Sequence, residues 1–236
     1  VQNKIVWQWR LWDHVSQNKN VEFTNYYQGS IADNPGRLNI NYVKTSDPKN
    51  PSWIHMNAID YNQQLDQIMV SAHSLGEIWI IDHGTTTKQA TQSFGGKYGK
   101  GGDFLYRWGN PAAYDRGTEA DRVIFGQHNP NWIRPGLPNA GKILLFNNGV
   151  GRPEGEYSSI EILEPPVDSQ GNYNLDEKKP YGPDKLFWHY TDPIPTDLYT
   201  TNQSGVQQLP NGNINVCVGT KGTFFEVTPD KRVIWK

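Results

Sequence analysis

Between Phe125 and Gly149 the chain alternates a mixed polar stretch with an apolar one. Phe125-Gly126-Gln127-His128-Asn129-Pro130-Asn131-Trp132-Ile133 reads as a short strand carrying a polar histidine. Pro135-Gly136, Pro138-Asn139 and Gly141 supply the turn. Lys142-Ile143-Leu144-Leu145-Phe146-Asn147-Asn148-Gly149 then reads as an apolar strand ending in polar residues. The same order occurs before it, in Trp53–Ile59 followed by Gln67–Ser71. It occurs after it, in Asn202–Leu209 followed by Asn213–Val218. A third run follows in each unit: Glu77–Ile81, Ser158–Leu163 and Thr223–Val227. A fourth run, rich in aromatics, closes each unit: Phe104–Trp108, Leu186–Tyr190 and Val233–Trp235.

The starts are evenly placed. His55 and His128 are 73 positions apart, and His128 and Asn202 are 74 apart. Four short strands per unit, repeated, is the sequence pattern of a β-propeller blade. The expected fold is therefore all-β, a β-propeller of four-stranded antiparallel blades, with residues 1–236 in one domain. Lys4-Ile5-Val6-Trp7-Gln8-Trp9 reads as the fourth strand of a further blade. Three blades plus that strand fall short of a closed ring, so the chain is expected to be a segment of a longer protein. A compact three-unit sheet assembly is the simpler alternative.

The connections carry the polar residues. Trp12–Ser52 reads as a long inter-blade loop ordered by Tyr26, Tyr27 and Tyr42. Thr85 is placed to cap a short helix over Thr85–Ala90. Gly95–Gly102 has neither the spacing nor the following helix of a nucleotide loop and reads as a turn.

Composition changes this picture little. Aromatics make up 12% of 236 residues, with nine Trp, which suits sheet faces packed on one another. A net charge of −2 gives no field favouring nucleic acid or an anionic membrane. The lone Cys217 excludes an intrachain disulfide framework and, on a strand, is expected to be buried and inert. No apolar run is long enough to span a bilayer.

Candidate chemistry rests on the histidines. In a propeller the first strand of each blade lines a central channel, so His55, His128 and the Asn202 position would converge. Imidazole donates, accepts, binds anions when protonated and serves as a nucleophile. His73 follows a second strand and has some reach toward the channel mouth. His14, His83 and His189 lie at strand ends or loops and read as structural.

Trp53–Tyr61, Gln127–Asn129 through Gly149, Tyr106-Arg107-Trp108-Gly109-Asn110-Pro111 and Leu209-Pro210-Asn211-Gly212-Asn213 resemble the bacterial aryl-sulfate sulfotransferase family. The resemblance covers most of the chain. It implies a six-bladed propeller exported to the periplasm or beyond. It implies transfer of a sulfuryl group from a phenolic ester to another phenol through a histidine, without a nucleotide donor or any cofactor. Partners would be an aryl sulfate and a phenol acceptor. By that resemblance His55 and His128 are the catalytic candidates. Arg152, in Gly149-Val150-Gly151-Arg152, is the candidate anion-binding arginine. Asn57 and Asn129 join it as substrate contacts. Asn202 stands where the family carries its sulfurylated histidine, and Gln208 where relatives often carry Arg. Asn is not a competent nucleophile for this reaction. A non-catalytic propeller that binds a ligand or protein partner is the competing reading. A quinone-cofactor propeller, suggested by the tryptophan in Val227–Trp235, has no supporting cysteine pair or ligand cluster.

Overall fold

A computed structural model describes residues 3–43, 52–177 and 179–236. It contains three four-stranded antiparallel sheets, each built from four strands in chain order. The first holds Met56–Asn62, Gln67–Ala72, Glu77–Asp82 and Tyr106–Trp108. The second holds His128–Trp132, Ile143–Asn147, Ser159–Leu163 and Trp188–Tyr190. The third holds Ser204–Gln208, Ile214–Val218, Thr223–Val227 and Val233–Trp235. The all-β, blade-like architecture agrees with the repeat read from the sequence. First strands of successive sheets lie against one another, as radial packing requires.

Side-chain alternation explains how the sheets stack. Successive residues of a strand face opposite sides. In Ile143–Asn147 every position is buried, because Ile143 and Leu145 face the first sheet while Leu144 and Phe146 face the third. That strand lies in the middle of the stack, so its run is continuously apolar. In Ile214–Val218 only Ile214, Val216 and Val218 join the core, and Asn215 and Cys217 face outward. Cys217 is therefore half-buried, in contrast to the fully buried thiol expected from strand placement. Ile78 and Ile80 face the second sheet, whereas Trp79 and Ile81 face a separate cluster with Val15, Leu38 and Phe104.

That cluster is closed by the long connection after Trp12, as its tyrosines suggested for Tyr42. The Tyr42 hydroxyl donates to Glu119 and accepts from Asn110 Nδ2, at 2.9 Å each. The connection contains a two-residue parallel bridge, Val15–Ser16 with Leu38–Asn39. It is anchored by a buried ion pair in which Arg107 meets Glu77 with two nitrogens and gives Nη1 to the carbonyls of Pro35 and Arg37.

Two local expectations are corrected, and a third holds. Residues 4–9 form no strand; instead the Trp7 indole donates to Thr85 Oγ1 at 3.1 Å and the Trp9 indole to the Gly102 carbonyl at 2.8 Å. Two large aromatics packed on the Trp79 face outweigh a ladder there, and Val1 lies outside the described residues. The helical turn after Thr85 is a 3-10 turn over Gln89–Thr91. Its reciprocal cap is Thr86 with Gln89, because the Thr85 hydroxyl is engaged by Trp7 and the Asp82 carbonyl. Gly95–Gly102 is a turn as read, closed by the Gly101 amide on the Gly95 carbonyl.

Candidate functional site

A residue in the left-handed region marks the start of each first strand: His55 (φ 51°) and Gln203 (φ 54°) just before it, and Asn129 (φ 52°) as its second residue. Those three are 74 positions apart at both steps. The backbone repeat thus aligns His128 with Ile54 and Asn202, and His55 falls one residue later. A positive φ is strained for a side chain other than Gly, and least so for Asn. The ladders of the first and second sheets also shift register here, between Met56 and Ala58 and between His128 and Asn131. The third sheet pairs without a shift at its first strand. Bulges turn side chains out of the regular pleat and often border sites.

These turns gather three imidazoles. His73 opens the 3-10 turn His73–Leu75 directly after the strand Gln67–Ala72. Its amide donates to the His55 carbonyl at 3.2 Å. The His73 ring lies 4.6 Å from that of His55 and 5.2 Å from that of His128, centroid to centroid. Burial, then the positive charges of His128, His55 and Arg122, lower the His73 pKa to about 4. The ring is neutral at physiological pH, and its Nδ1 is buried without a partner. The position of His73 after a second strand matches neither repeat register, so spacing alone weighs it lightly.

The tautomer of His128 follows from its neighbours. Asn148 Nδ2 donates to the Thr200 carbonyl at 2.8 Å, so Oδ1 is the atom facing His128. His128 Nδ1 lies 2.8 Å from that oxygen and 3.3 Å from the Gly126 carbonyl. Both partners accept, so Nδ1 carries the proton. The neutral ring keeps its lone pair on Nε2. Ser204 Oγ donates to the same Asn148 oxygen at 3.2 Å, tying the third sheet to the arrangement.

Arg152 lies on the neighbouring turn. Its Nη1 donates to the Tyr157 hydroxyl at 3.0 Å and its Nη2 to Ser159 Oγ at 3.1 Å, while Nε is buried without a partner. The guanidinium stacks 4.2 Å from the Tyr157 ring centroid. Ser159 donates in turn to Glu161. Burial pushes the Glu161 carboxyl up, against the lowering by Asn147, Ser159 and Arg152. The turn closes on Gly149, where a Cβ would stand 1.9 Å from the Tyr157 carbonyl oxygen. The Gly149 amide donates to the Phe125 carbonyl at 2.8 Å. The next residue, Gly126, lies beside His73: a Cβ there would be 3.2 Å from His73 Nε2. Arg152 and the imidazoles therefore flank one backbone segment, Phe125–Gly126.

The remaining candidates are placed differently. Asn202 is exposed, and its carbonyl receives the Thr200 hydroxyl at 3.0 Å. Through Thr200 it reaches Asn148 and His128. Asn57 and Asn129 join sheets: Asn57 Nδ2 donates to the Gln127 carbonyl, and Asn129 Oδ1 accepts from the Val206 amide, at 2.8 Å each. Gln208 is buried and bonds Asn139 and Gly212. His14 is buried between Asp103 and the Ala90 carbonyl, and His83 pairs with Asp66, consistent with structural roles. Asn148 escaped the sequence reading as a functional residue. Its signal was a polar pair, Asn147-Asn148, ending an otherwise apolar strand.

Two sizeable clefts lie away from the histidines. One of about 770 Å³ is lined by Tyr61, Trp132 and Arg134, and one of about 680 Å³ by Trp12, Phe23 and Asn41. Among the described residues, no group of three or more His, Cys, Asp or Glu is arranged to hold a metal ion. No helix among them is long and apolar enough to cross a membrane.

No curated protein matches the chain. The arylsulfotransferase (ASST) family model matches residues 2–234, and the chain belongs to that family.

Proposed function

We propose that the protein transfers a sulfuryl group between phenolic oxygens, using His128 as a covalent carrier and no nucleotide donor. The observation that carries the reading is the Asn148–His128 bond, which leaves the Nε2 lone pair free on a ring that borders His73, itself against His55. In the first half-reaction His128 Nε2 attacks sulfur. An N–S bond forms, the aryl O–S bond breaks, and the phenolate departs. His55, exposed at the edge of the cluster, protonates the departing oxygen. In the second half-reaction the acceptor phenol gives its proton to His55, and its oxygen takes the sulfuryl group as the N–S bond breaks. One hard displacement becomes two easier ones. Arg152 contributes the positive charge of its guanidinium to stabilise the sulfuryl oxygens. Neutral His73 supplies a hydrogen bond without adding charge that would suppress His128 as a nucleophile.

Membership of the family supports this reading with an aryl sulfate and a phenol as substrates, the chain as one propeller domain, and a periplasmic or extracellular place of action. Exposed Asn202, in the register of His128, favours a second reading: a propeller that binds aryl sulfates without turnover. The test is to incubate the protein with 4-nitrophenyl sulfate and a phenol acceptor. Released nitrophenolate is followed, and the His128 peptide is examined for a sulfuryl adduct. Turnover and the adduct are expected, and both disappear in His128→Ala. Turnover that survives His128→Ala refutes the carrier assignment; binding without turnover selects the second reading.

A further inference from the structure

A second arginine approaches the same backbone segment. Arg122 follows the 3-10 turn Glu119–Asp121 in extended conformation. Its Nε donates to the Ile124 carbonyl at 3.0 Å, which directs the guanidinium across the chain. Its guanidinium carbon lies 4.7 Å from the Phe125 ring centroid, and that of Arg152 lies 5.7 Å from the same centroid. Phe125 is buried, so both cations share one apolar contact.

The guanidinium of Arg122 also rests on Gly76, the left-handed residue that ends the turn begun by His73. A Cβ at Gly76 would stand 2.6 Å from Arg122 Nε and 2.7 Å from Nη2. Only glycine admits the arginine so close to the His73 turn. Its charge is felt by His73, whose pKa it helps lower.

Arg122 forms no ion pair among the described residues. Its Nη groups have no hydrogen-bond partner among them either, whereas both Nη groups of Arg152 are engaged by hydroxyls. Burial lowers the Arg122 pKa, and Glu119 and Glu77 oppose this only through space, so the free donors gain from an anion that bonds them directly. Its planar fork matches the oxygens of a tetrahedral anion. Resting on the functional reading above, we propose that Arg122 is a further anion-binding residue of this site, giving its Nη donors to the sulfuryl oxygens together with Arg152.

The experiment measures inorganic sulfate binding calorimetrically at fixed ionic strength, with the full chain. The variants are Arg122→Met, Arg122→Lys and Arg152→Met, with Arg10→Met as a surface control. Charge-assisted hydrogen bonds contribute enough that losing a pair weakens binding about tenfold or more. Arg122→Met is expected to show that loss, Arg122→Lys a smaller one, and Arg10→Met none. Where Arg122→Met melts early, the comparison passes to Arg122→Lys at matched melting temperature, which is expected to bind several-fold more weakly because Lys keeps the charge and loses the fork. Wild-type affinity in both Arg122 variants, with affinity lost in Arg152→Met, overturns the role of Arg122 and leaves the sulfuryl site standing. A wild-type protein that binds no sulfate overturns both.

Discussion

His128 Nδ1 lies 2.8 Å from Asn148 Oδ1, and Asn148 is itself held by the Thr200 carbonyl through Nδ2. These two bonds decide which ring nitrogen carries the proton. Asn148→Leu removes the acceptor while keeping comparable bulk. The Gly126 carbonyl at 3.3 Å is then the only acceptor of His128 Nδ1, and the ring is free to turn. Loss of tautomer control in a histidine-dependent enzyme can reach about 10⁴ in rate. With a second acceptor remaining, kcat is expected to fall roughly 10²-fold, with KM little changed. Steady-state kinetics on 4-nitrophenyl sulfate reads the split; a rise in KM alone would contradict the role of Asn148.

The depressed pKa of His73 has a consequence for stability. Unfolded, the ring titrates at its ordinary 6.5; folded, at about 4. Above pH 6.5 it is neutral in both states and costs nothing. As pH falls from 6.5 toward 4 the unfolded chain takes up the proton first, so stability is lost across that window and levels below it. His73→Gln is expected to flatten the melting-temperature profile between pH 6.5 and 4 relative to wild type. Parallel profiles for the two proteins would show that His73 does not titrate this way.

The Glu77–Arg107 pair is fully buried on both sides and fastens the long connection to the first sheet. Removing one partner leaves an uncompensated buried charge, a loss of about 3–5 kcal/mol. Glu77→Ala and Arg107→Ala are each expected to destabilise by that amount in denaturant titrations. The double variant Glu77→Leu/Arg107→Met is expected to lose less than the sum. Additive losses would mean that the two side chains act independently.

The blades were legible because burial on two faces and on one face write different patterns. Ile143-Leu144-Leu145-Phe146 is continuous and central, and Ile214-Asn215-Val216-Cys217-Val218 alternates and is terminal. The histidine register was only partly legible. Sequence spacing paired His55 with His128, whereas the left-handed residues pair His55 with Asn129 and Gln203. Side-chain identity carries no record of φ, so a shift of one residue at a bulge was invisible. His73 was weighed only lightly, and Arg122 not at all, for a related reason. Both lie on turns between strands, where three-dimensional closure around Gly76 and Gly126 brings them to the site. The supposed strand at Lys4–Trp9 failed because two indoles found better partners in Thr85 and Gly102 than in a ladder.

Asn202 gives the sharpest prediction. It occupies the register of His128 in the third sheet and is exposed, so a larger side chain meets little resistance there. Its carbonyl is held by the Thr200 hydroxyl, and the Thr200 carbonyl holds Asn148, so the backbone beneath it is already tied to the His128 network. Those bonds use the Asn202 main chain and are retained on substitution. The third sheet lacks the register shift that accompanies the histidines of the other two, which limits how closely a new imidazole would match them. Asn202→His is therefore expected to raise turnover of 4-nitrophenyl sulfate above a weak wild-type rate without changing the melting temperature. The double variant Asn202→His/His128→Ala separates the two histidines. If residue 202 becomes the carrier, the double variant stays active and the sulfuryl adduct moves to that peptide. If His128 remains the carrier, the double variant is inactive, because removing a covalent nucleophile costs orders of magnitude and not a small factor. No turnover in wild type or in Asn202→His, with sulfate still bound, would assign the chain to ligand binding alone.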